Sequence, residues 1–382
     1  MRPSLSHIRP LLAALVIAQY ALILPSPVSA QEIPPAGLPP GLKLPHVVLL
    51  SMGGTIASRG DVRLNITNYG GPNMPRVDPE HWVADLPELA LVARVTTEDF
   101  RPPQPPPGSD ARPPGETHAN WFRVARRLQE LAKDESVDGI VVTHGTNTMA
   151  ETAYFMNLVV NIKKPVVFVG AQRPWTGLSG DGPLNMFNAV RVAATPDAAG
   201  KGVLHAMNQN VNPARDVTKT SAYRVETFQS IDLGAIGVAD PDIVKFYAEP
   251  TRRHTFKSEF SISALGESLP SVEIAYAYTE APGYLIDAMV AQGVKGIVIE
   301  GTGAGSPTNG QTDAIKRAQE KGVVVVATAR TMGGRVQDTP RRRDAKIVPG
   351  DNLPPEKART LLQLALTKTT DLAEIQRIFA EY

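Results

Sequence analysis

The sequence of 382 residues contains no cysteine, and this absence excludes two kinds of chemistry. The chain can have neither a disulfide scaffold nor redox chemistry at cysteine sulfur. Its seven histidines are scattered, with no HExxH motif and no pair at helical spacing, so we predict no metal site. A formal net charge of +1 gives no indication of nucleic-acid binding. Stability must come from the apolar core and from any oligomerisation.

The apolar run near the N-terminus, "LLAALVIAQYALIL", is shorter than the roughly twenty residues needed to span a bilayer. Arg2 and Arg9 precede it, and small residues ending at Ala30 follow it, an order typical of a secretory signal. We therefore predict a signal peptide at residues 1–30 and a periplasmic or secreted mature protein. A membrane anchor is the weaker alternative.

The remaining chain alternates short β-branched runs with amphipathic helical stretches. This alternation predicts an α/β fold with parallel sheets covered on both faces. Residues 31–45 form a proline-rich leader, and residues 46–248 form a larger domain with a mainly parallel sheet flanked by helices. The charged, serine-rich segment 249–270 is interpreted as a linker, and residues 271–382 as a smaller C-terminal α/β domain.

Polar turns follow three predicted strands of the larger domain: "SMGGTIAS", "THGTNT" and "GAQRP". The carboxyl ends of strands in an open parallel sheet form the edge at which ligands bind, so these turns should converge. Gly53 and Gly54 permit a sharp turn and present the Thr55 hydroxyl, which could be a nucleophile or only a helix cap. Thr148 and Glu151 fit a capping box, which predicts a structural role for Thr148.

A threonine hydroxyl needs a base before it can react. His144 is one candidate, although it could equally pack against the strand end. Lys219, in "ARDVTKTS", is the other, and it can serve only if burial or a lack of anionic neighbours lowers its pKa. Thr146 has no evident structural role in its turn.

The motifs "GGTIA", "VVTHGTNTMAETAYF", "GAQRPWTGLSGDGPLN", "ARDVTKT" and "NLPPEKARTLLQLALTKT" occur in this order. Together they resemble the bacterial exported L-asparaginases and glutaminase-asparaginases, from His46 to Tyr382. The resemblance implies a threonine amidohydrolase that forms an acyl-enzyme, requires no cofactor and acts on a small-molecule amide. It also implies a homotetramer in which a neighbouring subunit completes each active site.

The resemblance further implies a role for five residues. Thr55 matches the nucleophile of the family, and Tyr69 matches the tyrosine that activates it. Thr146 and Lys219 match the pair that handles protons and the attacking water. Ala171 matches the alanine whose carbonyl holds the amide nitrogen.

The sequence departs from the family where the substrate ammonium is bound. Asn147 stands in place of an aspartate, Pro340 in place of a glutamate given across the subunit interface, and Ala304 in place of an asparagine. In the family, a serine binds the substrate carboxylate. Its position is hard to place in this sequence, and Ser109, in the proline-rich run 101–116, is only a weak candidate. Because an amide carries no charge, we predict hydrolysis of L-asparagine, L-glutamine or a related amide with weakened ammonium recognition.

Two other functions agree with parts of the sequence. An exported binding protein could keep the crevice without turnover, and acyl-enzyme formation would distinguish it from an enzyme. A dinucleotide enzyme is suggested by "KGIVIEGTGAGS". That reading fails because Ser306 occupies the third glycine position and no acid follows the next strand.

Overall fold

The protein is described from a computed structural model that covers residues 43–67, 69, 76–102 and 116–382. The predicted signal peptide, most of the proline-rich leader and of run 101–116, and Ser109 lie outside the described residues. The described residues from Lys43 onward belong to one compact unit. The domain boundaries given above stay a prediction.

Fourteen strands occur in the described residues. They are β1 (His46–Ser51), β2 (Arg94–Asp99), β3 (Gly139–Thr143), β4 (Val166–Val169), β5 (Val203–Met207), β6 (Asn210–Pro213), β7 (Val217–Lys219), β8 (Phe228–Ser230), β9 (Gly237–Ala239), β10 (Val244–Phe246), β11 (Val272–Tyr276), β12 (Gly296–Gly301), β13 (Val324–Ala329) and β14 (Ile347–Pro349).

Nine α-helices occur in the same part of the chain. They are α1 (Pro79–Asp85), α2 (His118–Lys133), α3 (Met149–Val159), α4 (Gly182–Ala194), α5 (Tyr284–Ala291), α6 (Asn309–Glu320), α7 (Pro340–Asp344), α8 (Pro355–Ala365) and α9 (Leu372–Glu381).

The larger sheet has eight strands in the order β10-β9-β6-β5-β4-β3-β1-β2. The five strands from β2 to β5 are parallel, and β6, β9 and β10 add antiparallel pairings at the far side. Strands β3, β4 and β5 are buried at every residue. Their β-branched, apolar sequences suit strands covered on both faces. The predicted mainly parallel sheet with flanking helices is confirmed.

Helix α3 follows β3 and differs from its prediction in one respect. The sequence suggested an amphipathic helix, but all its residues except Glu151 are buried. Its Phe155 ring lies 5.0 Å from the Trp121 ring of α2, and α3 also packs against α8. A helix that is covered on all sides needs no polar face. The amphipathic interpretation was therefore wrong.

The smaller sheet contains four parallel strands in the order β11-β12-β13-β14. Ile297 and Ile299 of β12 face a core that includes residues of α5 and α6. Val298, between them, faces the core shared with α8 and α9. This period of two places helices on both faces of the sheet, and the predicted smaller C-terminal α/β part is confirmed.

The segment 249–270 connects the two sheets and contains no strand or α-helix, only two short 3-10 turns. It is nevertheless well packed. Phe260 and Ile262 are buried, and the side-chain amide of Asn161 donates to the carbonyl oxygens of Thr255 and Phe260 at 3.2 and 3.3 Å. The segment joins the two sheets as a packed connection.

Candidate active site

The turns after β1, β3 and β4 approach one another closely. A Cβ on Gly54 would lie 2.4 Å from the Cα of Gly145, and Gly54 has a φ of +89°. A Cβ on Gly170, after β4, would lie 2.9 Å from the carbonyl oxygen of His144. At Gly54 only glycine tolerates this contact together with a positive φ, and at Gly170 a side chain would crowd the His144 carbonyl. The predicted convergence at the carboxyl edge is therefore present.

These turns line a cleft of about 1180 Å³. Five of the six predicted site residues line it: Thr55, Tyr69, Thr146, Asn147 and Lys219. Residues 102, 116 and 220–223 complete part of the wall. The cleft is thus assembled from segments that are far apart in the chain, at the edge where parallel strands end.

Thr55 begins a short 3-10 turn, Thr55–Ala57, directly after the glycine pair. Ile56 and Ala57 are buried, so the turn is anchored while Thr55 stays partly exposed. The Thr55 hydroxyl lies 3.0 Å from the phenolic oxygen of Tyr69, within hydrogen-bond distance. A proton can therefore pass directly between the two oxygens.

Thr146 and Lys219 form a second pair in the cleft. The Lys219 ammonium nitrogen donates to the Thr146 hydroxyl oxygen at 2.8 Å. Thr146 is only 5% exposed, whereas Lys219 is partly buried. Burial lowers the pKa of Lys219 from its ordinary value because the charged form loses hydration. Lys219 needs a lowered pKa to act as a base, and burial shifts its pKa in that direction.

Lys219 is positioned by the hairpin β7–β8 and by a buried lysine of α8. The ammonium of Lys357 donates to the carbonyl oxygens of Ala214, Arg215 and Val217 at 2.8, 2.8 and 2.6 Å. Val217 begins the strand that ends at Lys219. Helix α8, which packs on the smaller sheet, therefore holds in place the strand that carries Lys219.

The two predicted substrate-binding residues differ in their exposure. Asn147 is exposed and lines the cleft. Ala171 is fully buried and does not line it, although its neighbour Gln172 does. The turn around Ala171 is held by Asp181, whose carboxylate accepts hydrogen bonds from the backbone N–H groups of Gln172 and Arg173.

The predicted capping box at Thr148 is wrong. Thr148 is the N-cap of α3, but its side chain makes no capping hydrogen bond. Its φ of −125° and ψ of 8° lie outside the extended conformation usual for an N-cap. A complete capping box occurs instead at Thr308 and Gln311, at the start of α6.

Ala304 and Pro340 do not line this cleft. Pro340 begins the short helix α7, and the Arg342 guanidinium of that helix donates to the carbonyl oxygen of Ala304 at 2.5 Å. In the C-terminal half, the helix that begins at Pro340 therefore contacts the turn that contains Ala304.

Sequence reasoning missed Glu116, which also lines the cleft. Its carboxylate lies 3.5 Å from Nε2 of His144, a ring that is 2% exposed and whose Nδ1 lies 2.8 Å from the carbonyl oxygen of Gly145. His144 is thus packed at the strand end, one of its two predicted alternatives. The signal for Glu116 was slight, since it stands alone before the N-cap Thr117 of α2.

In the described ranges, no group of three or more His, Cys, Asp or Glu residues is arranged to hold a metal ion. None of the helices in those ranges is long and apolar enough to cross a membrane.

Two family models match the chain. "Asparaginase, N-terminal" matches residues 46–252, and "Glutaminase/Asparaginase C-terminal domain" matches residues 271–379. Both describe amidohydrolases, the class of enzyme to which this fold and cleft correspond. The chain belongs to the asparaginase and glutaminase-asparaginase family, and it is an L-asparaginase-like amidohydrolase.

Individual relatives agree with this assignment. The chain is 41% identical to "L-asparaginase 2" of Bacillus subtilis, over 89% of this chain and 87% of that protein. It is 39% identical to "Probable L-asparaginase periplasmic" of Haemophilus influenzae, over 89% and 93%. The crystal structure of a probable cytoplasmic L-asparaginase from Campylobacter jejuni superposes with a TM-score of 0.80 at 37% identity, covering 88% of this chain and all of that one.

Proposed function

We propose that the protein hydrolyses the side-chain amide of a small molecule to a carboxylic acid and ammonia, with Thr55 forming an acyl-enzyme. L-Asparagine, L-glutamine and related linear amides are the substrate class, as the names of the relatives suggest. The observation that carries the proposal is the presence of two proton-handling pairs, Thr55–Tyr69 and Thr146–Lys219, in one cleft.

The first half-reaction uses Thr55 and Tyr69. The Thr55 oxygen bonds to the amide carbonyl carbon as its proton moves to the phenolic oxygen 3.0 Å away, and the Tyr69 phenol passes its own proton on to the amide nitrogen. Backbone N–H groups of the cleft turns stabilise the negative oxygen of the tetrahedral intermediate. The carbon–nitrogen bond then breaks, and the nitrogen, which has gained that proton, leaves as ammonia.

The second half-reaction uses Thr146 and Lys219. Neutral Lys219 accepts, through the Thr146 hydroxyl, the proton of a water molecule that attacks the ester carbonyl. The bond between the acyl carbon and the Thr55 oxygen breaks, the proton held on Lys219 returns through Thr146 to the Thr55 oxygen, and the acid is released. No step calls for a cofactor.

Recognition of the substrate ammonium is altered at Asn147. A charged hydrogen bond contributes about 1.5–3 kcal/mol, and an uncharged amide at this exposed place in the cleft offers less. Export through the signal at residues 1–30 and assembly as a homotetramer are parts of the same proposal. They rest on the N-terminal sequence and on the resemblance to the family.

The test is ammonia release by the purified mature protein and its Thr55→Ala variant from asparagine, glutamine and the des-amino amide succinamate. We expect the variant to lose turnover of every amide that the wild type uses. Mass spectrometry during turnover should find an acyl adduct on Thr55 in the wild type only. Undiminished turnover by Thr55→Ala would reject the nucleophile, and ligand binding without turnover by the wild type would favour a binding protein.

A further inference from the structure

A second cavity, of about 570 Å³, shares no lining residue with the cleft that Thr55 lines. Its walls include the end of β6, the loop between β8 and β9, residues 248–254 at the start of the connection between the sheets, and the loops after β13 and β14. Small-molecule sites in proteins have volumes of about 300–1,000 Å³ and often lie where separate parts of a fold meet. The size and place of this cavity therefore suit a small-molecule ligand.

One part of the wall of this cavity is apolar. Leu233 and Ile236 lie in the loop between β8 and β9, and Pro213, Ala248 and Pro250 line the cavity as well. The Leu233 side chain is aliphatic, yet the residue is 67% exposed. Because covering exposed apolar surface is favourable, this part of the wall favours a ligand with an apolar body.

The charged side chains of the wall include more cations than acids. Five are cationic and four are acidic: Lys201, Arg215, Arg252, Arg253 and Arg335 against Asp216, Asp232, Glu249 and Asp351. Each of the four acids already accepts a hydrogen bond from a described residue. The wall therefore has a surplus of positive charge, and its acids are occupied.

Arg335 is the cation of this wall that remains available to a ligand. Its side chain is 66% exposed and donates no hydrogen bond within the described residues, and its Nε lies 3.7 Å from Oδ1 of Asp351. The same carboxylate accepts a hydrogen bond from Arg252 at 2.6 Å and lies 3.7 Å from Nη2 of Arg215. One carboxylate is thus shared by three guanidiniums, and an incoming anion would add negative charge to this cluster. A guanidinium with free N–H groups binds a carboxylate in a fixed, two-bond geometry.

We propose that this cavity binds an organic carboxylate with an apolar body, at a site separate from the catalytic cleft. The guanidinium of Arg335, with Arg252 beside it, holds the carboxylate, and the apolar body packs on Leu233 and Ile236. The walls include β6 of the larger sheet and the loops after β13 and β14 of the smaller one. A bound ligand therefore contacts both halves of the fold, and it should stabilise the folded chain because the unfolded chain has no such site.

The test is calorimetric titration of 4-phenylbutyrate and hexanoate into the purified mature protein, with 4-phenylbutanol and acetate as partial ligands. The alcohol lacks the carboxylate, and acetate lacks the apolar body. We expect saturable binding of both longer carboxylates, a rise in Tm of about 2 °C at saturation, and at least about tenfold weaker binding of the partial ligands. Equal binding of the alcohol would reject the role of the guanidiniums, and absence of binding by both longer carboxylates would overturn the proposal.

Single substitutions locate the binding in this cavity. Arg335→Gln should weaken binding of 4-phenylbutyrate about 10- to 100-fold, because a charged hydrogen bond is lost. Leu233→Ala should weaken it about fivefold, because apolar contact is lost. Neither residue lines the catalytic cleft, so ammonia release should stay at the wild-type rate in both variants. Arg94→Gln is the matched control, because Arg94 is an exposed arginine that lines neither cavity.

The outcomes do not depend on the catalytic proposal, because binding is measured without turnover. Weaker binding in Arg335→Gln and Leu233→Ala but not in Arg94→Gln supports the site even if Thr55 is not the nucleophile. Unchanged affinity in the first two variants would place the ligand elsewhere and overturn the proposal. Size-exclusion chromatography should give all three variants the wild-type elution volume. Smaller species formed by Leu233→Ala would assign this wall to a contact between subunits and contradict the proposal.

Discussion

Lys219 is the residue whose protonation state connects the cleft to pH. Burial lowers its pKa below the ordinary 10.5, and a lysine acts as a base only when it is neutral. Raising the pH increases the neutral fraction of Lys219, and a lowered pKa moves that increase towards neutral pH. Its partner Thr146 stays neutral throughout, so the hydrogen bond does not oppose the change.

We therefore predict that kcat rises with pH along a limb set by Lys219. Lys219→Arg should remove this limb and lower kcat by about 100-fold or more, because a guanidinium stays protonated. A pH series of initial rates measures both effects, with Lys321→Arg, an exposed lysine elsewhere, as the control. A limb that persists in Lys219→Arg would assign the base to another group.

A second residue-scale prediction concerns Asn147. Asn147→Asp changes one exposed amide in the cleft to a carboxylate of the same shape. Because a charged hydrogen bond to an ammonium exceeds an uncharged one by about 1–2 kcal/mol, kcat/KM for asparagine should rise about tenfold. Succinamate is the internal control and should show no gain. Unchanged asparagine kinetics would mean that the side chain at this position does not bind the substrate ammonium.

At the scale of elements, the three turns could be predicted because their signals are local. Each polar, glycine-containing run follows a continuous apolar strand, and strand ends in a parallel sheet share an edge. Glu116 could not be found in this way. Its contact with His144 joins two segments that no periodic pattern connects. Thr148 was misjudged because the spacing of a capping box specifies residue types but not the backbone angles on which the hydrogen bonds depend.

The contact between the turns after β1 and β3 gives a prediction with a matched pair of variants. Gly53 and Gly54 have φ values of +88° and +89°, so alanine at either position should cost about 1–3 kcal/mol in backbone strain. At Gly54 the new Cβ would also lie 2.4 Å from the Cα of Gly145, whereas at Gly53 it would meet only the Arg101 side chain at 3.5 Å.

Gly54→Ala should therefore lower Tm and kcat more than Gly53→Ala does. Thermal unfolding and ammonia release by the two purified variants provide the comparison. Equal losses would show that strain alone limits these positions and that close approach of the turns does not matter for activity.

At the scale of the whole molecule, the two sheets and their order along the chain followed from alternating strand and helix patterns. The apolar stripe of α8, Ala358, Leu361, Leu362 and Ala365, has the helical spacing typical of a core-facing side and is buried. Lys357 on the same helix was not foreseen, because lysines are almost never fully buried and its three acceptors lie more than a hundred residues earlier.

Lys357 supports a prediction about stability. Burial lowers its pKa to about 8, still above neutral pH, so three protons are available for its three carbonyl acceptors at pH 7. Lys357→Met would leave those oxygens without their donor and should lower the free energy of unfolding by about 1–3 kcal/mol. Because Val217 loses its anchor, kcat should fall as well.

The pH dependence provides a second readout for the same variant. The folded pKa of Lys357 lies below its ordinary 10.5, so the unfolded chain binds more protons between about pH 8 and 10.5. This group therefore makes the free energy of unfolding rise with pH over that range. Denaturant titrations of the wild type and Lys357→Met should differ in slope there, with Lys368→Met as the control. Parallel slopes would contradict a buried, titrating ammonium.

The rim of the cleft has a practical consequence. Tyr223 lies in its wall, and its side chain is among the most exposed large ones, at 76%. Since the native chain has no thiol, Tyr223→Cys would introduce a unique attachment point for a fluorescent dye. Such a conjugate would report occupancy of the pocket by emission, independently of any product assay, and would allow unreactive ligands to be screened directly.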